Sequence, residues 1–186
     1  MKKFSTFHSQ FSTAEGFTLI ELLVVIGIIA ILSAMIITII NPLSQFQKAR
    51  DVQRKSDLSQ IQKALEQYYQ DTGKYPSSTS SFQIIGLNNG MIAWGSSNTA
   101  NWPYMNVLPQ DPDGNRTYVY YSTGQSYWLY TSLERGMQDP QACNSGNACS
   151  SILAGGTGFP GQHVCSPTNN TAVICNYGAS SPNTAP

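Results

Sequence analysis

The chain has 186 residues with ten basic and ten acidic side chains, so its formal net charge is zero and no global field favours nucleic acid or anionic lipid. Charged residues are 11% of the total, well below the roughly 25% of ordinary soluble domains, and Ser, Thr, Asn, Gln, Gly and Tyr take their place. All four cysteines, Cys143, Cys149, Cys165 and Cys175, lie in the last quarter, which points to two disulfides made in an oxidising compartment rather than to the close cysteine pairs of structural zinc sites.

Residues 1–16 carry Lys2 and Lys3 but no apolar run. A continuous apolar stretch follows from Phe17 to Ile40, in which Glu21 is the single ionisable group. A secretory signal would end its short apolar core at a small-residue cut site, and none follows here; no cysteine precedes Cys143, which excludes lipoprotein processing. At 1.5 Å per residue the stretch is long enough to cross a hydrocarbon core of about 30 Å, so it reads as a single-pass membrane helix. A carboxylate inside such a helix costs about 2.5–3.5 kcal/mol at mid-membrane, which makes Glu21 a functional-site candidate that needs a partner.

The run Gly16-Phe17-Thr18-Leu19-Ile20-Glu21, followed by the apolar helix, resembles the class III signal of type IV pilins and type II secretion pseudopilins. The resemblance implies that a prepilin peptidase cuts between Gly16 and Phe17 and that Phe17 becomes an N-methylated first residue. Gly16 carries no side chain, so a protease can approach the scissile backbone closely. The cut discards Lys2 and Lys3 and leaves an α-ammonium four residues before Glu21, a natural partner for that carboxylate on a neighbouring subunit. The resemblance further implies an inner-membrane assembly platform as a partner, storage in the inner membrane, and a final place in a filament outside it. Two cations precede the helix and four follow it closely (Lys48, Arg50, Arg54, Lys55). Positive-inside counting alone would place the C-terminal part in the cytoplasm. The disulfides and the resemblance both require the opposite orientation, which is the one adopted.

Past Pro42, where a helix break or kink is expected, Leu43, Phe46, Ala49, Val52, Leu58, Ile61, Leu65 and Tyr68 recur at mostly helical spacing. The helix should stop near Asp71-Thr72-Gly73, with Gly73 just past its end and Pro76 preventing continuation. Unbroken from Phe17 to Asp71 it would run about 80 Å, too long for a head of this size to cover. Asp71–Pro76 again resembles the pilin family. Residues 82–106 alternate short apolar pieces with breaks and receive no assignment. Leu108–Asn115 is a turn cluster similar to that of major pseudopilins, which extends the resemblance over about residues 1–135. Thr117–Ser122 and Tyr127–Ser132 read as an antiparallel hairpin. Asp111, Asp113 and Asn115 mimic the start of a calcium loop, but Arg116 and Ser122 stand where glycine and a bidentate acid are required, so a plain turn is expected. Three disulfide pairings are open, with the local one, Cys143–Cys149 and Cys165–Cys175, preferred. Asn169-Asn170-Thr171 fits a glycosylation sequon, and Asn176–Pro186 reads as a frayed tail.

The expected fold is α+β: a leader at 1–16, a membrane or filament-core helix at 17–40, its amphipathic continuation at 41–73, a connector and sheet head at 74–135, and a cysteine-containing region at 136–186. His163 has no nucleophile–base setting, so no enzyme, cofactor or metal is expected. The resulting reading is a type IV pilus subunit that assembles with copies of itself through the helix beginning at Phe17. The alternatives are a pseudopilin of a type II secretion system and an adhesion or DNA-uptake module carried on a pilus. Arg116 and Arg135 face Asp111, Asp113, Glu134 and Asp139 in the head, a poor match for nucleic-acid phosphates. Its aromatics fit a core better than a stacking platform.

Overall fold

The computed structural model describes residues 16–97, 100–149, 164–168, 170 and 172–182, with backbone alone for 37–40. Most of the leader (residues 1–15), His163, and Asn169 and Thr171 of the sequon lie outside the described residues. The chain falls into two units, Met1–Pro42 and Leu43–Pro186.

The first unit holds α1, Leu19–Ile40. A helix that is apolar all round has no polar face to give to water. Accordingly the window Leu19–Ile36 reaches a mean hydropathy of 2.9 with none of it buried by the chain itself. The helix stops at Asn41, which takes a left-handed conformation with φ 44°. Asparagine is among the few residues with a Cβ that enter this region readily. Pro42 then opens the next helix, at a position where its missing N–H removes no helical bond. The Asn41–Pro42 pair therefore makes the interruption expected at Pro42 a full break between two helices.

The second unit is built on α2, Pro42–Thr72. Gly73, at φ 70°, closes it by donating its N–H to the Tyr69 carbonyl at 2.8 Å. Two small antiparallel sheets follow. In the first, β1 (Ser77–Ser78), β2 (Ile84–Ile85) and β3 (Met91–Ile92) pair in that order, which gives the unassigned stretch after Phe82 its structure. In the second, β4 (Val119–Ser122) and β5 (Tyr127–Thr131) form the expected hairpin, with Val119 opposite Tyr130 and Ser122 opposite Tyr127. The outer partner of β5 is β6, Tyr177–Ser180. The expected frayed tail is thus corrected over its first part: Asn176 is buried, and Ser181 donates its N–H to the Tyr127 carbonyl at 3.1 Å. A strand made of Tyr-Gly-Ala-Ser carries little apolar signal of its own; the ladder of β5 recruits it.

Leu58, Ile61, Leu65 and Tyr68 of α2 pack on Ile84, Ile92, Trp102, Leu108, Tyr118, Tyr120 and Leu129 to form the main core. The head's aromatics divide between core and sheet surface: Trp102, Tyr118, Tyr120, Tyr127 and Tyr130 are buried, with Trp102 stacked on Tyr68 at 5.6 Å, while Trp94, Tyr121 and Trp128 are half-buried. Disulfides join Cys143 to Cys149 and Cys165 to Cys175. Cys149, Cys165 and Cys175 sit with Phe82, Val119, Tyr130 and Val173 in a second apolar cluster.

Candidate functional site

The start of α1 brings together the residues singled out by the sequence. Thr18 is its N-cap and Glu21 the third helical residue, and the two close a reciprocal capping box. Glu21 donates its backbone N–H to Thr18 Oγ1 at 3.3 Å. In return, the Glu21 carboxylate accepts from the Thr18 backbone N–H at 2.8 Å and from the Thr18 hydroxyl at 2.7 Å. Both of those bonds end on Oε2. The carboxylate is therefore held beside the helix N-terminus by its own chain, where the free N–H groups favour an anion. Thr18 escaped the sequence reading, although Thr-Leu-Ile-Glu is itself the capping pattern.

Gly16 has open space around it: a side chain there would meet nothing within 4 Å. Its own fold makes no demand for glycine at this position, so any such demand comes from a second molecule. Phe17, beside it, is 87% exposed. Leu19, Ile20, Leu22 and Leu23 behind it are also exposed, and the helix thus presents a charged head on an apolar shaft.

A second concentration of charge lies in the head, assembled from residues too far apart in the chain to be read as a cluster from their spacing. Arg54, counted above only as one of four cations after the helix, is 0% exposed. Its guanidinium forks onto Asp111, Nε to Oδ2 at 2.9 Å and Nη2 to Oδ1 at 2.8 Å, while Nη1 reaches Asp51 at 2.8 Å and Glu134 at 2.9 Å. Arg50 donates to Glu134 from Nε at 2.6 Å, and Lys55 to Asp139 at 2.6 Å. The Arg50 and Arg54 hydrogen bonds outweigh burial and pull the Glu134 carboxyl down to about 2. Arg54 is driven the other way by burial, but its three carboxylate partners win and hold it charged. Asp57 accepts the Tyr118 hydroxyl at 2.6 Å, and burial first, then that bond, raises the phenol far above its ordinary range. Three of the four cations following α1 are thus matched by acids of the head. Asp111, the first residue of the calcium-like pattern, is committed to Arg54, and Asp113 to Arg116 at 3.2 Å.

Comparison with known proteins places these features in a family. The profile described as type II secretion system protein G matches residues 41–148, and the prokaryotic N-terminal methylation motif matches residues 12–37. Type II secretion system core protein G of Aeromonas hydrophila is 33% identical over 111 residues, covering 60% of this chain and 75% of that protein. Toxin coregulated pilin of Vibrio cholerae is 30% identical over 124 residues, covering 60% of this chain and 53% of the pilin. The major component of the type IV wide pilus of Thermus thermophilus is 41% identical over 76 residues, covering 41% of this chain and 56% of that protein. No solved structure matches. With an N-terminal methylation motif opening an apolar helix and a matching head behind it, the chain belongs to the type II secretion system protein G family of the pilins and pseudopilins.

Proposed function

We propose that the chain is a prepilin-type structural subunit: it is cut between Gly16 and Phe17, methylated on the new Phe17 amine, and built into a helical filament of its own copies through α1. The observation that carries this reading is the pairing of an uncovered apolar helix with one carboxylate held at its first turn. Lipid covers the shaft before assembly and neighbouring shafts cover it afterwards, so one surface serves both states. In the filament the incoming subunit's Phe17 ammonium meets the Glu21 carboxylate of its neighbour, which Thr18 already holds in place. The prepilin peptidase and an inner-membrane assembly platform act as transient partners, and the subunit's role is structural rather than catalytic.

Capping and charge separate cleanly by substitution. Glu21→Gln keeps an acceptor for the Thr18 N–H and loses the charge; Thr18→Val loses the cap and keeps the charge. Filament yield should collapse in Glu21→Gln and fall only modestly in Thr18→Val, with both chains cut at Gly16 as judged by intact mass. Normal filaments from Glu21→Gln cells would end the ion-pair reading. A mature N-terminus other than Phe17 would end the processing one.

Two filaments remain as destinations. The match over residues 41–148 favours a type II secretion pseudopilus. The two disulfides closing the C-terminal region, a departure from major pseudopilins, favour a surface pilus. Antibody against residues 140–186 decorating long surface filaments on intact cells supports the pilus; labelling that needs permeabilised cells supports the pseudopilus.

A further inference from the structure

Lys48, Asp51 and Lys55 of α2 and Arg135, Gln138 and Asp139 beyond β5 line one cleft of about 330 Å³. Both of its acids are already engaged. Asp51 accepts the backbone N–H groups of Glu134 and Arg135, each at 2.9 Å, together with Arg54. Asp139 holds Lys55 and accepts the Gln141 N–H at 2.9 Å. Lys48 is exposed and has no ion pair among the described residues. Arg135 spends one N–H on the Ser44 carbonyl at 3.3 Å, so its guanidinium retains further donors. What the cleft offers an incoming group is therefore donors and positive charge: a lysine point charge, a guanidinium fork and an amide. That set fits a polyatomic oxyanion such as a phosphate diester.

The cleft's place in the chain selects the source of that phosphate. Lys48 lies eight residues beyond Ile40, the end of the apolar run: six of those steps are in α2, about 9 Å of helix, and the link through Asn41 adds at most about 7 Å. The headgroup layer fills about 5–7 Å on each side of the hydrocarbon, and a lysine stem extends the reach of its charge toward it. Large apolar side chains flank the cleft in the chain and stay uncovered: Leu43 and Phe46, each 64% exposed, and Met137 at 79%. Such groups beside cations suit the bilayer interface, where apolar bodies sink and charges stay among headgroups. We infer that this cleft seats the phosphate of an anionic phospholipid and docks the unassembled subunit's head on the membrane. The inference rests on the membrane-anchored state proposed above.

The test uses the full chain in lipid nanodiscs of phosphatidylcholine, with or without phosphatidylglycerol, followed by hydrogen exchange. Phosphatidylglycerol should slow the amides of residues 134–139 about tenfold and leave those of β4 unchanged. Lys48→Gln should weaken the effect and Lys48→Gln with Arg135→Gln abolish it. Lys63→Gln, which removes an exposed charge elsewhere on α2, should retain it. Equal exchange in both discs, an effect surviving the double variant, or an equal loss in Lys63→Gln would overturn the site. Inorganic phosphate reproducing the slowing in phosphatidylcholine discs would overturn the lipid as its ligand. A chain that fails to enter discs at all would overturn the anchored state itself, a failure seen before any exchange is measured.

Discussion

Arg54 shows how much one buried charge can organise. A guanidinium taken out of water is tolerated only where every donor has a partner, and here Asp111, Asp51 and Glu134 supply them. Removing it would leave buried Asp111 and Asp51 without their guanidinium and Glu134 with Arg50 alone. Arg54→Met should therefore destabilise the head by about 3–5 kcal/mol in denaturant melts, and a loss below about 1 kcal/mol would contradict the buried-hub account. Arg54→Lys should recover little, because an ammonium cannot span the Asp111 fork. Glu134 gives the same hub a pH signature. Its folded carboxyl lies at about 2, below the unfolded value near 4.3. A depressed carboxyl contributes stability that is complete above the unfolded value and is lost as pH falls through the folded one. Wild-type melting midpoints should thus drop between about pH 4 and pH 2, and Glu134→Gln should flatten that part of the profile.

At the scale of elements, α2 carries two registers that one periodicity merged. Leu58, Ile61, Leu65 and Tyr68 are buried, whereas Leu43, Phe46 and Val52 are exposed. Between them the head meets the helix through Asp51, Arg54 and Asp57, residues that an apolar pattern assigns to water. The long helices, the β4–β5 hairpin and the Gly73 stop were legible because each is written in local spacing and turn chemistry. The Arg54 hub was not, since Asp111 and Glu134 lie 57 and 80 residues away. The N-terminal site was half legible: Glu21 stood out by its cost in an apolar run, while Thr18 needed only the capping pattern to be applied. β6 was hidden because its pairing comes from β5 rather than from its own residues. Ending the chain at Asn176 tests that assignment. It removes four residue pairings with β5 and the Ser181–Tyr127 bond. The head should lose stability by about 2 kcal/mol or more, read from the denaturant midpoint. An unchanged midpoint would return residues 177–182 to the status of a tail.

For the whole molecule, the division at Pro42 separates a unit that carries both apolar clusters from one that carries neither among the described residues. Both apolar clusters are drawn from residues 58–177, together with partly buried Ala179, and both disulfides lie there too. Among the described residues no side chain of α1 contributes to them, and those from Leu19 to Ile36 are all exposed. Exposure on that scale in a helix of mean hydropathy 2.9 over Leu19–Ile36 is sustainable only under lipid or against other shafts. The stability of the head and the capacity to assemble should accordingly be separable properties. A fragment beginning at Leu43 should be a soluble monomer by sedimentation, with a denaturant midpoint matching that of the full chain in detergent. The chain from Phe17 should need detergent or lipid at every step. A Leu43 fragment that aggregates, or unfolds well before the full chain, would show that α1 supports the head and that the two units share one stability. Agreement would place the effects of Arg54 and β6 in the fragment and those of Glu21 in the shaft, so that Glu21→Gln blocks filaments while leaving the head's melting curve unmoved.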